Sequence, residues 1–399
     1  MNVFVIPSWY PSEAHPSTGI FFKEQSELLA RHAQNIRLGI SVWGQHEPSL
    51  WLPVHKPLSS LIKLASRPSI KKKDVHLNER CVEFFTPAYT WSRKIGKGNA
   101  KGIQEANEAN FQRFTQAFGP PDLIHAHVAY PAGVIAQKLA KKHGIPFLIT
   151  EHMSPFPMPS LKSIFKSKIL PVLATADRVF AVSKALAMDI SSYAIGSEVL
   201  SNFIDDEQFM PGSERKGGKM SLLAVGRLEK QKNYSLMLQA MGKLRDAGVD
   251  FELKIIGSGS MANTLQRLTQ QLSLDTHVEW LGECSREGVS CHMKNADVLL
   301  NTSMHENQPV AILEALASGL EVVTTKWAGA QEFARTVNSH LVGYSPKEVV
   351  AALVTLSKEG VRPKSQIRAL FDAHYSTRKQ VDQLISRYEM VVNRAVSKE

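Results

Sequence analysis

Short apolar runs alternate along this chain with longer stretches in which apolar residues recur every three or four positions. Val3–Ile6, Ile36–Val42, Val82–Phe85, Leu123–Ala126, Phe147–Thr150, Arg178–Val182 and Glu198–Leu200 read as strands. Ile20 to Arg31 and Gly133–His143 read as helices between them. Runs of this length, apolar on both sides, suit a parallel sheet covered by helices on both faces. Asp205 to Lys219, rich in Gly, Pro and charge, reads as a linker. After it the pattern restarts, with strands at Ser221–Val225, Phe251–Ile256, Val278–Leu281, Val298–Leu300 and Glu321–Thr324 and helices at Tyr234–Ala247, Ala262–Leu272 and Val310–Ser318. A final helix is expected from Ser376 to about Ala395.

The fold class is therefore α/β, and 399 residues exceed one ordinary core. Two Rossmann-like domains are expected. Residues 1–204 form the first, completed by a C-terminal helix within 376–399; 205–219 link it to the second, 220–375. Ligands of such sheets bind beyond the carboxyl ends of the strands, so two of them predict a central cleft.

Charge is uneven. Of the net +10, residues 1–200 carry 23 Lys+Arg against 14 Asp+Glu, and Lys56 to Lys101 alone hold eleven basic residues against Asp74, Glu79 and Glu83. An anionic partner fits that half: a membrane surface, a lipid diphosphate or nucleic acid. Two stretches mix lysines with apolar residues, Leu50 to Lys73 and Leu161–Ile169, with Trp51 and Trp91 suited to the headgroup level. They predict peripheral attachment to an anionic membrane. No apolar run spans a bilayer and Met1–Pro7 lacks the makings of a signal peptide, so the expected place is the cytoplasm. Cys81, Cys284 and Cys291 are too few and too scattered for a disulfide framework, and Cys284, Cys291 and His292 lack a fourth metal ligand.

The richest segment is Thr302-Ser-Met-His-Glu306-Asn-Gln-Pro-Val-Ala-Ile-Leu-Glu314-Ala-Leu-Ala-Ser-Gly319. Pro309 suits a first helical turn, with Asn307 or Gln308 as cap. The amides of Val310, Ala311 and Ile312 then face outward at the positive end of a helix, a site for phosphate. Glu306 lies just outside that end and Glu314 a turn inside, where carboxylates can accept hydrogen bonds from sugar and ribose hydroxyls. The alternative is an amphipathic helix with two solvated glutamates.

The segment resembles the E-x7-E signature of retaining glycosyltransferases of family 4. Other residues agree in register. Val225-Gly-Arg-Leu-Glu-Lys-Gln-Lys232 resembles the family's phosphate loop, which assigns Gly226 to close backbone approach and Arg227 and Lys232 to the departing diphosphate. Ile255-Ile-Gly257-Ser-Gly259 and Val278-Glu-Trp-Leu-Gly282 resemble its nucleotide-lining turns, implying a lining role for Gly257, Leu281 and Glu283. His127, in Asp122-Leu-Ile-His125-Ala-His127, matches a histidine beside the donor sugar, and Thr150-Glu151-His152 also fits. Ser8-Trp-Tyr-Pro11 and Pro16 to Gln25 resemble the opening of enzymes that build capsular, exopolysaccharide and teichuronic acid chains, with Gly19 beside the diphosphate. Glu321 and Ala328 depart from the family pattern, and Pro48 to Gln112, where an acceptor would bind, resembles it least.

The resemblance implies a GT-B enzyme that retains configuration, needs no metal and uses no cofactor, the nucleotide sugar being a co-substrate. Catalytic roles fall to His127, Arg227, Lys232 and Glu306. Donor binding falls to Gly19, Gly226, Gly257, Leu281, Glu283, Asn307, Val310, Ala311 and Glu314. The implied transfer takes a hexose or N-acetylhexosamine from a UDP-sugar, in preference to a GDP-sugar, to a saccharide or polyprenyl-diphosphate-linked acceptor in cell-surface polysaccharide synthesis. The rivals are a sugar-nucleotide epimerase, a nicotinamide-dependent enzyme, which the incomplete glycine fingerprint disfavours, and a basic nucleic-acid-binding protein, which leaves the second domain unexplained. No nucleic-acid partner is expected.

Overall fold

The structure is a computed structural model; it describes the whole chain except residue 46 and residues 53–69, 92–97, 215–216 and 397–399, and for residues 332 and 396 the backbone alone. The chain divides into two compact units: Met1–Val182 with Ala187–Leu200 and Val381–Glu399, and Ser183–Leu186 with Ser201–Gln380.

The first unit is built on eight strands: β1 Asn2–Pro7, β2 Arg37–Val42, β3 Lys73–Asn78, β4 Cys81–Phe85, β5 Leu123–His127, β6 Phe147–Glu151, β7 Arg178–Ala181 and β8 Glu198–Val199. Their order across the sheet is β3-β4-β2-β1-β5-β6-β7-β8. All pairings are parallel except β3 with β4. Strand β3 was not expected. It pairs along one edge only, and its residues are exposed or half-buried, so it carries no apolar run to announce it. Residues 2 to 5 of β1 run beside 37 to 40 of β2, and Phe4 meets Phe111 and Phe114 edge to face beneath the sheet. Gly39 keeps that contact possible, since a β-carbon there would stand 2.1 Å from the Phe114 ring.

The second unit has six parallel strands, β9 Met220–Val225, β10 Phe251–Ile256, β11 Val278–Gly282, β12 Val298–Asn301, β13 Glu321–Thr325 and β14 His340–Val342. Their order, β11-β10-β9-β12-β13-β14, reverses direction between β9 and β12, which makes the carboxyl ends of those two strands the topological switch point where ligands settle. Leu222, Leu253 and Val298 from the strands and Leu238, Met241 and Leu353 from covering helices fill one side of this sheet; Leu299, Ile312, Leu313 and Phe371 fill the other.

The last helix, Thr377–Val396, returns to the first unit, where the fully buried Tyr388 hydroxyl lies 2.6 Å from His125 Nδ1. The expected membrane face over Leu161–Ile169 is corrected here. Leu161, Phe165 and Ile169 are buried while Lys162 and Lys166 are exposed, so the apolar side chains of this stretch belong to the core. Most of the other stretch, residues 53–69, lies outside the described residues. No helix among the described residues is long and apolar enough to cross a membrane.

Candidate active site

Two glycine loops come together at the ends of β9 and β10 because the strands run in register, Ile255 beside Ala224 and Ile256 beside Val225. Gly226 N–H donates to Ile256 O at 3.0 Å and Leu228 N–H to Ser258 O at 2.8 Å. A β-carbon on Gly257 would stand 2.0 Å from the Gly226 carbonyl, and one on Gly259 2.5 Å from that of Leu228. The G-x-G is thus a steric demand of two backbones in contact, with Gly257 and Gly259 both at positive φ. Ser258 Oγ donates to Glu283, and Leu281 packs against the core beneath.

Lys232 and Glu306 meet at this loop cluster. The ammonium lies 2.5 Å from Glu306 Oε1, and Ser303 Oγ donates to the same oxygen at 2.7 Å. The segment carrying Glu306 is pinned to the segment carrying Lys232 by Thr302 Oγ1, which donates to Lys232 O and Asn233 O at 3.2 and 3.1 Å, and by Met304 N–H to Gln231 O at 2.8 Å. Tyr234 Oη donates to Gly226 O at 3.1 Å, and burial, with Glu306 nearby, pushes the phenol up so that it stays protonated. Arg227 is different: its side chain is 66% exposed, with Glu229 Oε1 at 3.5 Å. Ser260 Oγ and N–H donate to Glu229 and hold that carboxyl below its usual range.

The helix Val310–Ala317 starts at the expected residue and ends one residue before Ser318. Pro309, at φ −70° and ψ 120°, occupies the cap position in place of Asn307 or Gln308 and offers no side-chain cap hydrogen bond. Gln308 is engaged elsewhere, its Oε1 accepting Asn202 N–H at 2.6 Å and its carbonyl accepting Asn202 Nδ2 at 3.1 Å. Ile312 N–H turns back to Pro309 O at 3.0 Å, which leaves Val310 and Ala311 amides as the outward donors at the helix end. Asn307 is buried.

Neither glutamate is solvated: Glu306 is 8% and Glu314 2% exposed. The amphipathic-helix alternative therefore fails. Glu314 Oε1 accepts Arg286 Nη2 at 2.5 Å, and the Arg286 guanidinium lies 4.8 Å from the Phe209 ring centroid. Arg286 was missed. Its signal was its position in the first turn of the helix Arg286–Asn295, where the positive helix end disfavours a cation unless a carboxylate waits nearby.

In the first unit, β5 and β6 place His125, His127, Thr150 and Glu151 side by side. His127 Nδ1 lies 3.2 Å from His152 Nε2, and His125 Nε2 lies 2.8 Å from Thr150 Oγ1. Burial pulls His127 down to about 3 and pulls His125 and His152 well below the usual imidazole range, the latter two also repelled by His127. The cluster is neutral at pH 7. Glu151 accepts backbone N–H groups from Ala129, His152 and Met153 at 2.8 to 2.9 Å; burial raises its carboxyl and these bonds oppose the rise. Gly19 heads the helix Ile20–His32 at φ +70°, where a β-carbon would stand 2.7 Å from the Trp9 carbonyl. Phe22 in that helix packs on the His127 ring, centroids 4.7 Å apart. Among the described residues no group of three His, Cys, Asp or Glu is placed to hold a metal.

Residues 205–370 match the family Glycosyl transferases group 1, and residues 87–208 match Glycosyltransferase Family 4. The chain is similar to the protein named teichuronic acid biosynthesis glycosyltransferase TuaC of Bacillus subtilis (strain 168), 28% identical over 347 residues that span 82% of each chain. Among solved structures it is similar to a sucrose-phosphate synthase from Thermosynechococcus elongatus, at TM-score 0.68, 15% identity and coverage of 100% of this chain and 98% of that one. Anabaena HepE, solved with UDP and glucose, aligns at TM-score 0.67 and 15% identity over 98% of this chain and 100% of its own. The fold is GT-B.

Proposed function

Since this chain is a glycosyltransferase, carrying a Family 4 domain followed by a group 1 domain, we propose that it retains anomeric configuration while moving a hexose or N-acetylhexosamine from a UDP-sugar to a saccharide or lipid-linked saccharide in cell-surface polysaccharide synthesis. The observation that carries the reading is the convergence of Lys232, Glu306, Glu314 and the Val310 and Ala311 amides around the switch point of the second sheet. Glu314 would take the ribose diol and Glu306 the sugar hydroxyls, with Gly257, Leu281 and Glu283 lining the nucleotide.

In the proposed step the bond between the anomeric carbon and the β-phosphate oxygen breaks, its electron pair leaving with the diphosphate. Lys232, Arg227 and the helix amides meet that charge. The acceptor oxygen attacks the same face of the oxocarbenium-like centre and passes its proton to a phosphate oxygen, so no protein base is needed. His127 and Gly19 are proposed donor contacts from the first unit. The neutrality of the histidine cluster suits hydrogen bonding rather than charge pairing. No metal enters this scheme. Similarity to TuaC, named for teichuronic acid biosynthesis, supports a cell-surface polysaccharide as product, and HepE, solved with UDP, supports the nucleotide. Reversible attachment to the inner face of the membrane stays part of the reading through the exposed Lys71, Lys72 and Lys73 and the exposed Trp51.

The test is a thermal-shift panel of UDP, GDP and ADP, followed by NMR of the product anomer with the sugar of the nucleotide that binds. A rise in melting temperature with UDP and a product of unchanged anomeric configuration are expected. No shift with any nucleotide overturns the reading; an inverted product overturns the mechanism.

A further inference from the structure

A cavity of about 960 Å³ opens within the first unit, lined by Trp43, Trp51, Trp91, Tyr130, Met153 and Met158 and by the cations Lys138 and Lys168. It lies at the upper end of the range, about 300–1,000 Å³, in which a pocket takes a whole small ligand. The backbone builds its wall deliberately. Leu52 N–H donates to Thr90 O and Thr90 N–H to Leu50 O, both at 2.8 Å, which clamps the segments of Trp51 and Trp91 together.

Several of the side chains suited to sugar hydroxyls are already engaged inside the protein. Gln45 donates to Pro7 O and accepts Trp43 N–H, each at 3.0 Å; Gln137 donates to Thr175 Oγ1 at 2.6 Å; Glu47 accepts Ser49 N–H at 3.1 Å. Glu47, Gln104, Ser160 and Ser167 add to the polar lining, and the rest of what the cavity offers a ligand is largely aromatic and thioether surface with two ammonium groups, Lys168 standing 5.6 Å from the Tyr130 ring centroid. Apolar walls take a hydrocarbon chain, and ammonium groups take an anion.

From this chemistry we propose that the cavity holds a lipid phosphate, an apolar chain ending in phosphate or diphosphate, as the anchor of the acceptor. The assignment rests on the sugar-transfer reading and gives its acceptor a class. The cavity holds the chain and Lys138 and Lys168 hold the head.

The full chain is titrated with geranylgeranyl diphosphate while tryptophan fluorescence is followed, with geranylgeraniol, inorganic diphosphate and a disaccharide in parallel. Saturable quenching by the lipid diphosphate is expected, tighter than by the alcohol and not displaced by inorganic diphosphate. Lys138→Glu and Lys168→Glu should each weaken it at least ten-fold while keeping the wild-type thermal shift with UDP, which shows that they fold. Unweakened lipid binding in both variants, or a saturable response to the disaccharide with none to the lipid, overturns the proposal. UDP binding without lipid binding overturns this proposal alone. Lipid binding with no nucleotide shift overturns the transfer reading and leaves the lipid site standing.

Discussion

The Lys232 ammonium lies 2.5 Å from the Glu306 carboxylate, joining two loops 74 residues apart in sequence. The cation proposed for the leaving diphosphate is thus held, in the free protein, by the carboxylate proposed for the sugar. Each keeps the other's charge compensated in a half-buried setting until the donor arrives.

Replacing Lys232 by Ala should lower kcat by roughly 10²-fold, as expected for loss of a group that stabilises developing charge. Arg227→Ala should do the same at lower structural cost, because its side chain is largely exposed. Steady-state kinetics beside melting curves check both. Wild-type turnover in the two variants removes them from the mechanism.

Glu314→Gln should weaken UDP binding, since a ribose diol would lose a charged acceptor worth about 1.5–3 kcal/mol. Arg286→Ala should cost about 3–5 kcal/mol of stability by leaving the buried Glu314 unpaired. The double variant should recover part of that loss. Additive losses in a double-mutant cycle would show that the pair is not coupled.

Glu321 gives the protein an acid-sensitive contact. Burial raises its carboxyl, but Arg362, which donates to both its oxygens at 2.6 and 2.7 Å, and His340 outweigh that and bring it down to about 2. The folded value lies below the unfolded one of about 4.3, so the contribution is present above that pH and lost as pH falls toward 2. Glu321→Gln should therefore be less stable than wild type at pH 7, and the gap should close between pH 4.5 and 2. A gap independent of pH in denaturant titrations would refute the assignment.

The neutral histidines act at a higher pH. With His127 held at about 3 by burial, the unfolded chain binds a proton below about pH 6.5 that the folded chain refuses. Stability from this group is full above that pH and falls by about 1.4 kcal/mol per pH unit down toward pH 3. His127→Gln should make the acid limb of stability shallower by that slope. An unchanged limb would mean that His127 charges in the folded state.

Chelation by EDTA should leave sugar transfer intact, because lysine, arginine and helix amides are assigned the charge of the leaving group. Activity lost to EDTA and restored by Mg²⁺ or Mn²⁺ would require another arrangement.

Apolar runs, turn residues and the spacing of Glu306 and Glu314 were legible along the chain, because strand and helix patterns depend on neighbours within a few positions. That is why β10 was read with its observed ends and why the segment holding both glutamates stood out. Tertiary structure alone decided the rest. Lys73–Asn78 is a strand only because β4 offers it an edge. Gln308 is held by Asn202, over a hundred residues away. The partners of Glu306, Glu314, Glu321 and His125 are Lys232, Arg286, Arg362 and Tyr388, none of them near in sequence. A buried charge or imidazole takes whichever partner the topology brings beside it, and that adjacency is set by strand order and packing rather than by local pattern.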